Sequence, residues 1–172
     1  MSKLTGKVAL VTGGSRGIGA AIAKRLAADG ASVAFTYAKD ASAASAVVKA
    51  IELAGRKAVA IQADAANVEA VRGAVEKAVA TFGRLDVLVN SAGTAIPKPF
   101  EETTLEEMDR VIDINIRGVF ATTQAALKHM KDGAASSWSV RPWASAPLRR
   151  GLCPTRPQRA PSRCSPRRCP GR

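Results

Sequence analysis

Two kinds of segment alternate along the first 132 positions, and they differ in how their apolar and polar residues are arranged. Short apolar runs bounded by glycine or polar residues predict strands that are buried on both faces. Between them, apolar residues recur every three or four positions, which predicts helices with one buried face. The strand-like runs cover residues 7–12, 32–37, 58–63 and 85–90, and the helical segments run from Gly17 to Gly30, Ala43 to Ala54, Val68 to Gly83 and Leu105 to Lys131.

The order of these segments is strand and helix in strict alternation, repeated four times. Strands joined by helices of ten or more residues must be parallel, and such crossovers are right-handed. The pattern therefore predicts an α/β fold, an open doubly wound parallel sheet with helices on both faces. We expect the sheet to be truncated after the fourth strand and its helix. An edge strand there would expose backbone groups, so we also expect poor solubility or stability.

Composition changes sharply near residue 133. The chain has 172 residues and a net charge of +12. Residues 1–132 hold 17 Lys and Arg against 14 Asp and Glu, whereas residues 133–172 hold 9 Arg, no Lys and no acid. The change predicts an incomplete dinucleotide-binding domain over 1–132 and an irregular Arg/Pro-rich tail over 133–172.

Several protein classes are excluded by composition. A hydrophobic content of 47% is too high for global disorder. No apolar run has the length of a membrane span, and the first residues lack a secretory apolar stretch. All three cysteines follow residue 150, which excludes a disulfide-stapled fold. We therefore expect a cytoplasmic protein without membrane partners.

A glycine-rich turn follows the first strand, at Gly13, Gly17 and Gly19. Glycines let the backbone turn sharply and approach a ligand closely. The next helix directs its free N–H groups and positive dipole end at that place, so a phosphate or pyrophosphate is the natural occupant. The competing interpretation is a tight turn whose glycines serve packing alone. Its position in a βαβ unit favours dinucleotide binding.

Four motifs at suitable distances together resemble the short-chain dehydrogenase/reductase family. They are Thr12-Gly13-x₃-Gly17-Ile18-Gly19, Asp64 after the third strand, Asn90-Ser91-Ala92-Gly93 after the fourth strand, and Asn115 within the last helical segment. The similarity covers residues 3 to about 132. Details such as Thr94-Ala95-Ile96 resemble the 3-oxoacyl carrier-protein reductases of that family.

The resemblance implies a Rossmann-like fold with strands in the order 3-2-1-4 and a nicotinamide cofactor, and it assigns roles to residues. Asp64 would lie beside the adenine ring, and Asn115 would hold a water molecule in the catalytic proton relay. Taken singly, Asp64 is also a plausible helix cap and Asn115 an ordinary helix residue. The cofactor-binding positions are Thr12, Gly13, Ser15, Arg16, Gly17, Ile18, Gly19, Tyr37, Lys39, Asp64, Asn90, Ala92 and Gly93.

The charges near the second strand favour NADP(H) over NAD(H). NAD-binding sites of this kind place an acid near the end of that strand, where it holds the ribose 2′-hydroxyl. Here Arg16 lies in the glycine turn and Lys39 just past the strand, and both attract a 2′-phosphate. The alternative is that Lys39 faces solvent and Asp40 takes the acidic role.

The family's catalytic Ser and its Tyr-x₃-Lys pair are missing from this chain. The resemblance implies that the Tyr moves the proton while the Lys lowers its pKa. An unperturbed Tyr, with a pKa near 10, is a poor base at neutral pH. The one tyrosine is Tyr37, and no lysine follows Lys131. We therefore expect a carbonyl or secondary-alcohol oxidoreductase with little or no activity as written, or else a non-catalytic NADP(H)-binding fragment. The resemblance implies that intact members of the family act on a small carbonyl substrate as homo-dimers or homo-tetramers.

A shift of reading frame would explain the missing residues. When the third base of each codon is read with the first two of the next, residues 135–139 allow four apolar residues, as in a fifth strand. Residues 154–155 then allow Tyr, and residues 158–159 allow Lys four positions later. We predict that residues from about 133 onward are an out-of-frame translation. Sequencing the coding DNA across codons 125–172 tests this: an extra or missing base near codon 133 is expected, and an intact frame would contradict it.

Two other interpretations of the tail receive less support. Clustered arginines bind phosphate backbones without sequence preference, which favours a basic nucleic-acid arm or nonspecific adhesion to anions. No recognition fold accompanies those arginines, however. A zinc site at Cys153, Cys164 and Cys169 lacks the paired Cys-x₂-Cys spacing, so we predict no metal.

Overall fold

Five parallel strands form a single sheet in the order β3-β2-β1-β4-β5. The computed structural model describes residues 4–138, with side chains described for residues 4–130 and for Ser137. The strands are β1 Val8–Thr12, β2 Ser32–Tyr37, β3 Ala58–Gln62, β4 Leu85–Asn90 and β5 Met130–Trp138. The helices are α1 Gly17–Ala28, α2 Ala41–Leu53, α3 Val68–Phe82, α4 Leu105–Ile112 and α5 Gly118–Leu127, with a 3-10 turn at Phe100–Glu102 and a π-helical segment at Asp113–Arg117.

Helices cover both faces of the sheet, as the pattern of apolar residues predicts. Val11, Phe35 and neighbouring side chains pack with α1 and α2 on one face. Leu10, Leu88 and their neighbours pack with α3 and α5 on the other. All five residues of β1 are buried. This confirms the Rossmann-like α/β fold and the strand order 3-2-1-4 within it.

A fifth strand corrects the prediction that the sheet ends at β4. β5 pairs in parallel with β4, with Val87 opposite Ala135 and Asn90 opposite Trp138. β4 is therefore an inner strand and not an exposed edge. The segment lacks an alternating or continuous apolar pattern, so its strand character was missed. Pairing uses the backbone N–H and C=O groups that β4 offers, and these do not depend on side-chain type. The division at residue 132 stays a prediction, and β5 extends six residues beyond it.

The helical segment predicted over Leu105 to Lys131 is shorter and less regular than expected. The π-helical segment interrupts it, where the Gly118 N–H donates to the Asp113 carbonyl five residues back. α5 ends at Leu127, and Met130 already begins β5. A π turn adds one residue to the helical ladder and is common at functional sites. Residues 139–172, including Cys153, Cys164 and Cys169, lie outside the described residues.

Asp86 joins the amino ends of β1 and β4, on the edge of the sheet opposite the glycine turn. Its carboxylate accepts from the Val8 N–H at 3.0 Å, from Lys7 at 3.2 Å and from Arg84 Nε at 2.8 Å. Burial raises the pKa of the Asp86 carboxyl, but these donors outweigh burial and hold the pKa below its ordinary value. The ion cluster therefore supports the sheet and stands apart from the candidate site.

The outer surface of α5 carries an apolar groove of about 340 Å³. Its walls include Val68, Ile116, Phe120 and Ala121, and the Phe120 side chain is 68% exposed. Such a surface is typical of protein contacts. The homo-oligomer implied by the family resemblance stays a prediction. Within residues 4–138, the structure has no helix long and apolar enough to cross a membrane.

Candidate functional site

The site lies at the carboxyl ends of β1 and β4, where neighbouring crossovers run to opposite faces of the sheet. Open α/β sheets bind their ligands at such a place. Thr12 ends β1 and is almost completely buried. Its hydroxyl oxygen accepts from the N–H groups of Ser91 and Ala92, both at 3.0 Å. One side chain therefore holds the loop after β4 against the end of β1.

The glycine turn is packed too closely for side chains at its key positions. Gly13 has φ +68, and a Cβ there would lie 2.8 Å from the Cα of Ala92. A Cβ at Gly19 would lie 2.3 Å from the carbonyl oxygen of Gly13. The Gly13 N–H donates to the Thr36 hydroxyl at 3.1 Å, which ties the turn to β2 as well. Packing within the turn therefore requires glycine at both positions.

The residues around this turn leave an accessible surface at the start of α1. Arg16 is the N-cap of α1 and makes no side-chain capping bond. Arg16 and Gly17 are exposed, Ser15 is half-buried, and the Ile18 side chain is 52% exposed. The arrangement places a helix N-terminus and a cation beside the exposed apolar side chain of Ile18. A helix N-terminus and a cation suit a phosphate-bearing ligand.

Lys39 and Asp40 follow β2, and the structure separates their roles. Both residues are exposed. The Asp40 carboxylate accepts from the Ala43 N–H at 2.8 Å and caps α2. Tyr37, the last residue of β2, is half-buried and packs on the α1–α2 face of the core. Since Asp40 is engaged as a helix cap, the cationic Lys39 is the freer charged group at this end of β2.

Asp64 does not cap the following helix, which was the simpler interpretation of it. Asn67 is the N-cap of α3 and accepts from the Ala70 N–H. Asp64 instead accepts from the Ala66 N–H at 3.0 Å and from Arg110 of α4 at 2.9 Å. The Ala66 N–H and the Arg110 guanidinium hold the pKa of the Asp64 carboxyl below its usual range, with a smaller contribution from the charge of Lys39. Asp64 is therefore an ionised acceptor at neutral pH.

Asn90 lies inside the protein and not on the surface of the site. It is 2% exposed, and its Nδ2 donates to the Thr123 hydroxyl of α5 at 3.1 Å. Its Oδ1 has no hydrogen-bond partner among the described residues. Ala92 and Gly93 are the more accessible residues of this loop. The side chain of Asn90 therefore joins the sheet to α5, while the two residues that follow Ser91 line the site.

Asn115 is more than an ordinary polar residue on a helix. It lies in the π-helical segment, half-buried. Its Nδ2 donates to the Thr94 carbonyl at 2.9 Å, and its Oδ1 accepts from the Thr94 N–H at 3.0 Å. These two bonds bring the segment to the loop after β4, beside Gly93. The catalytic role implied by the family resemblance stays a prediction.

Three residues at the site had not been identified from the sequence: Thr36, Thr94 and Arg110. Each acts through a partner that is distant along the chain; Arg110, for example, is 46 positions from Asp64. No local pattern marks such pairs. Only the order of the strands brings them together.

Comparison with known proteins bears on the whole described region. The family model described as short chain dehydrogenase matches residues 7–137. An uncharacterised oxidoreductase of Methylorubrum extorquens is 55% identical over 135 residues, covering 78% of this chain and 54% of the relative. A hydroxynaphthalene reductase of Aspergillus fumigatus is 48% identical over 130 residues, covering 76% and 48%. The chain therefore spans about half the length of the curated relatives it matches.

Solved structures resemble the fold closely. A short chain dehydrogenase from Burkholderia cenocepacia, in complex with NADP, is 53% identical with a TM-score of 0.78, covering 79% of this chain and 56% of that one. A blue fluorescent protein from a metagenomic library, in complex with NADPH, is 52% identical with a TM-score of 0.75, covering 78% and 56%. Together with the family model, the fold and the glycine turn, these matches show that the chain belongs to the short-chain dehydrogenase family.

Proposed function

We propose that this chain forms the NADP(H)-binding part of a reductase for small carbonyl compounds or secondary alcohols. The observation that carries the proposal is the glycine turn between β1 and α1, in which Gly13 and Gly19 leave no room for a Cβ. The turn, the start of α1 and the loop after β4 meet at one edge of the sheet. That edge is where open α/β sheets hold dinucleotides.

The residues present fit the cofactor in charge and in shape. The pyrophosphate would lie over Ser15 to Ile18, at the uncapped start of α1. Asp64, an acceptor, suits the amino group of an adenine. Ala92 and Gly93 present little bulk to the nicotinamide half. When bound, the nicotinamide supplies hydride transfer, and the protein supplies position and electrostatics.

Charge supports NADP(H) over NAD(H). Arg16, at the start of α1, and Lys39, just past β2, are both exposed cations. The Asp40 carboxylate, which follows β2, is engaged with the Ala43 N–H. A ribose 2′-phosphate gains from two cations, whereas a 2′-hydroxyl lacks the acidic partner that it prefers.

Replacement of Lys39 by glutamate is expected to weaken NADPH binding about tenfold, equivalent to about 1.4 kcal/mol. The substitution removes an attraction for the 2′-phosphate and adds a repulsion, while NADH, whose ribose 2′-hydroxyl would gain an acidic partner, should bind as well or better. Titration of each cofactor into the full chain, followed by nucleotide fluorescence, measures both affinities.

Lys49→Glu is the matched control, because Lys49 is exposed on α2 and carries the same charge change away from the turn. It should leave the preference for NADPH intact. Tighter binding of NADH than NADPH by the unmodified chain would end the NADP(H) assignment. Binding of neither nucleotide would end the proposed function itself.

Catalysis needs groups that the described site does not bring together. Tyr37, the one tyrosine of the chain, packs on the core face of β2, and Asn115 is held by Thr94. We therefore propose that this chain binds cofactor with little or no turnover, and that full activity belongs to a chain carrying Tyr-x₃-Lys. The likeness to 3-oxoacyl carrier-protein reductases stays a prediction.

A further inference from the structure

The loop after β3 contacts α4 and α5, the two helices on either side of the π-helical segment that carries Asn115. This loop comprises Asp64, Ala65 and Ala66. The Arg110 guanidinium of α4 donates to the Asp64 carboxylate at 2.9 Å. At the start of α5, a Cβ on Gly118 would lie 2.1 Å from the Ala65 carbonyl oxygen, so the helix backbone rests directly against the loop. The loop therefore has two attachments to the helix.

Those two attachments lie on either side of the π-helical segment. Arg110 precedes Asp113–Arg117 by three residues, and Gly118 follows it directly. The middle of the segment is attached elsewhere, because Asn115 makes two hydrogen bonds to the backbone of Thr94. The flanking helices thus contact the loop after β3, where the adenine would lie. The π-helical segment between them contacts the loop after β4, where the nicotinamide half would lie.

We propose that Arg110 is a positioning residue that couples occupation of the adenine end of the site to the order of the Asn115 segment. The inference rests on the proposed cofactor function. It adds that the Arg110–Asp64 contact connects the adenine end of the site with the Asn115 end. Ligand binding at Asp64 stabilises the loop, and Arg110 passes that restraint to the helix. Asn115 is then held more firmly against Thr94.

The chemistry at Asp64 permits this coupling. Each carboxylate oxygen can accept two hydrogen bonds, so an adenine amino group can donate without displacing Ala66 or Arg110. The pair is half-exposed, with side-chain exposures of 54% for Arg110 and 40% for Asp64. A contact of this kind is modest in strength, and a ligand can shift it. Coupling between two sites requires that the Arg110–Asp64 contact differ in strength between the free and the ligand-bound protein.

Hydrogen exchange of the full chain tests the coupling with a ligand that lacks nicotinamide. Adenosine 2′,5′-bisphosphate reaches the adenine end and cannot touch Asn115. At saturation it is expected to slow amide exchange across Asp113–Arg117 about fivefold, the lower end of the range for coupled sites. In Arg110→Met this protection should be lost, although the ligand still binds.

Two further variants separate positioning from a general structural effect. Arg110→Lys should restore the protection, because the present contact uses a single N–H donor that an ammonium can replace. Arg25→Met removes another exposed Arg–Asp pair, that with Asp29, and should leave the protection unchanged. Without ligand, Arg110→Met is expected to exchange faster than the unmodified chain in both the Asp64–Ala66 loop and the Asn115 segment.

Two results would overturn the coupling while leaving the proposed function in place. One is bisphosphate binding with no slowing of exchange across Asp113–Arg117. The other is full protection in Arg110→Met. Failure of both the bisphosphate and NADPH to bind would instead overturn the proposed function, and the coupling with it.

Discussion

Gly19→Ala is expected to abolish measurable NADPH binding and to lower the free energy of unfolding by about 1–3 kcal/mol, the usual cost of overpacking. The new Cβ would lie 2.3 Å from the Gly13 carbonyl oxygen. That oxygen belongs to the backbone of the turn and cannot rotate away as a flexible side chain would. The turn must open or α1 must shift, and either change moves the N–H groups that would hold the pyrophosphate. Urea unfolding and a fluorescence titration with NADPH measure the two effects.

Gly73→Ala is the matched control for this substitution. Gly73 lies inside α3, and a Cβ there would have no atom within 4 Å. Alanine is the better helix former, so stability should rise by about 0.4–1 kcal/mol with no change in binding. If Gly19→Ala binds NADPH within twofold of the unmodified chain, the turn does not hold the cofactor as proposed.

Thr12→Val is expected to lower the free energy of unfolding by about 1–3 kcal/mol for each of the two N–H donors left without an acceptor. Those donors are Ser91 and Ala92, and the hydroxyl that accepts from them is almost completely buried. Valine has nearly the same shape, so the loss reports the hydrogen bonds and not a cavity. Cofactor affinity should fall as well, because the loop after β4 is released from the glycine turn.

Thr12→Ser keeps the hydroxyl and should retain most of both properties. Urea unfolding of the three proteins, with the same cofactor titration, compares them. A valine variant as stable as the serine variant would show that the two N–H groups find other acceptors, and that Thr12 does not hold the loop.

Local patterns were sufficient for most of the fold. Apolar runs marked β1 to β4, and helical spacing marked α1 to α3 with bounds within two residues of those observed. Buried parallel strands require continuous apolar runs and amphipathic helices require apolar residues every three or four positions, so both can be recognised in a sequence. β5 was missed because its pairing rests on the backbone groups of β4. No single residue type marks the π-helical segment, because it differs from an α-helix only in which backbone carbonyl accepts each N–H.

The candidate site divides in the same way. The glycine spacing identified the turn, because close backbone approach can be met by glycine alone. The charges at Lys39 and Asp40 favour NADP(H) but leave two roles open for Asp40, and the bond from the Ala43 N–H identifies Asp40 as a helix cap. The sequence likewise leaves two roles open for Asp64, helix cap or cofactor contact. Its contact with Arg110 joins residues far apart in the chain, so neighbouring residues do not reveal it.

The sequence by itself determined the class of fold and the family, and it identified the glycine-rich turn after β1. Each depends on residue types at short, regular spacing. Tertiary structure alone decided that β4 has a partner on its outer side, that Thr12 holds a loop 79 positions away, and that Arg110 meets Asp64. These contacts depend on which strands become neighbours and on how closely the helices pack, and the packing of the whole sheet sets both.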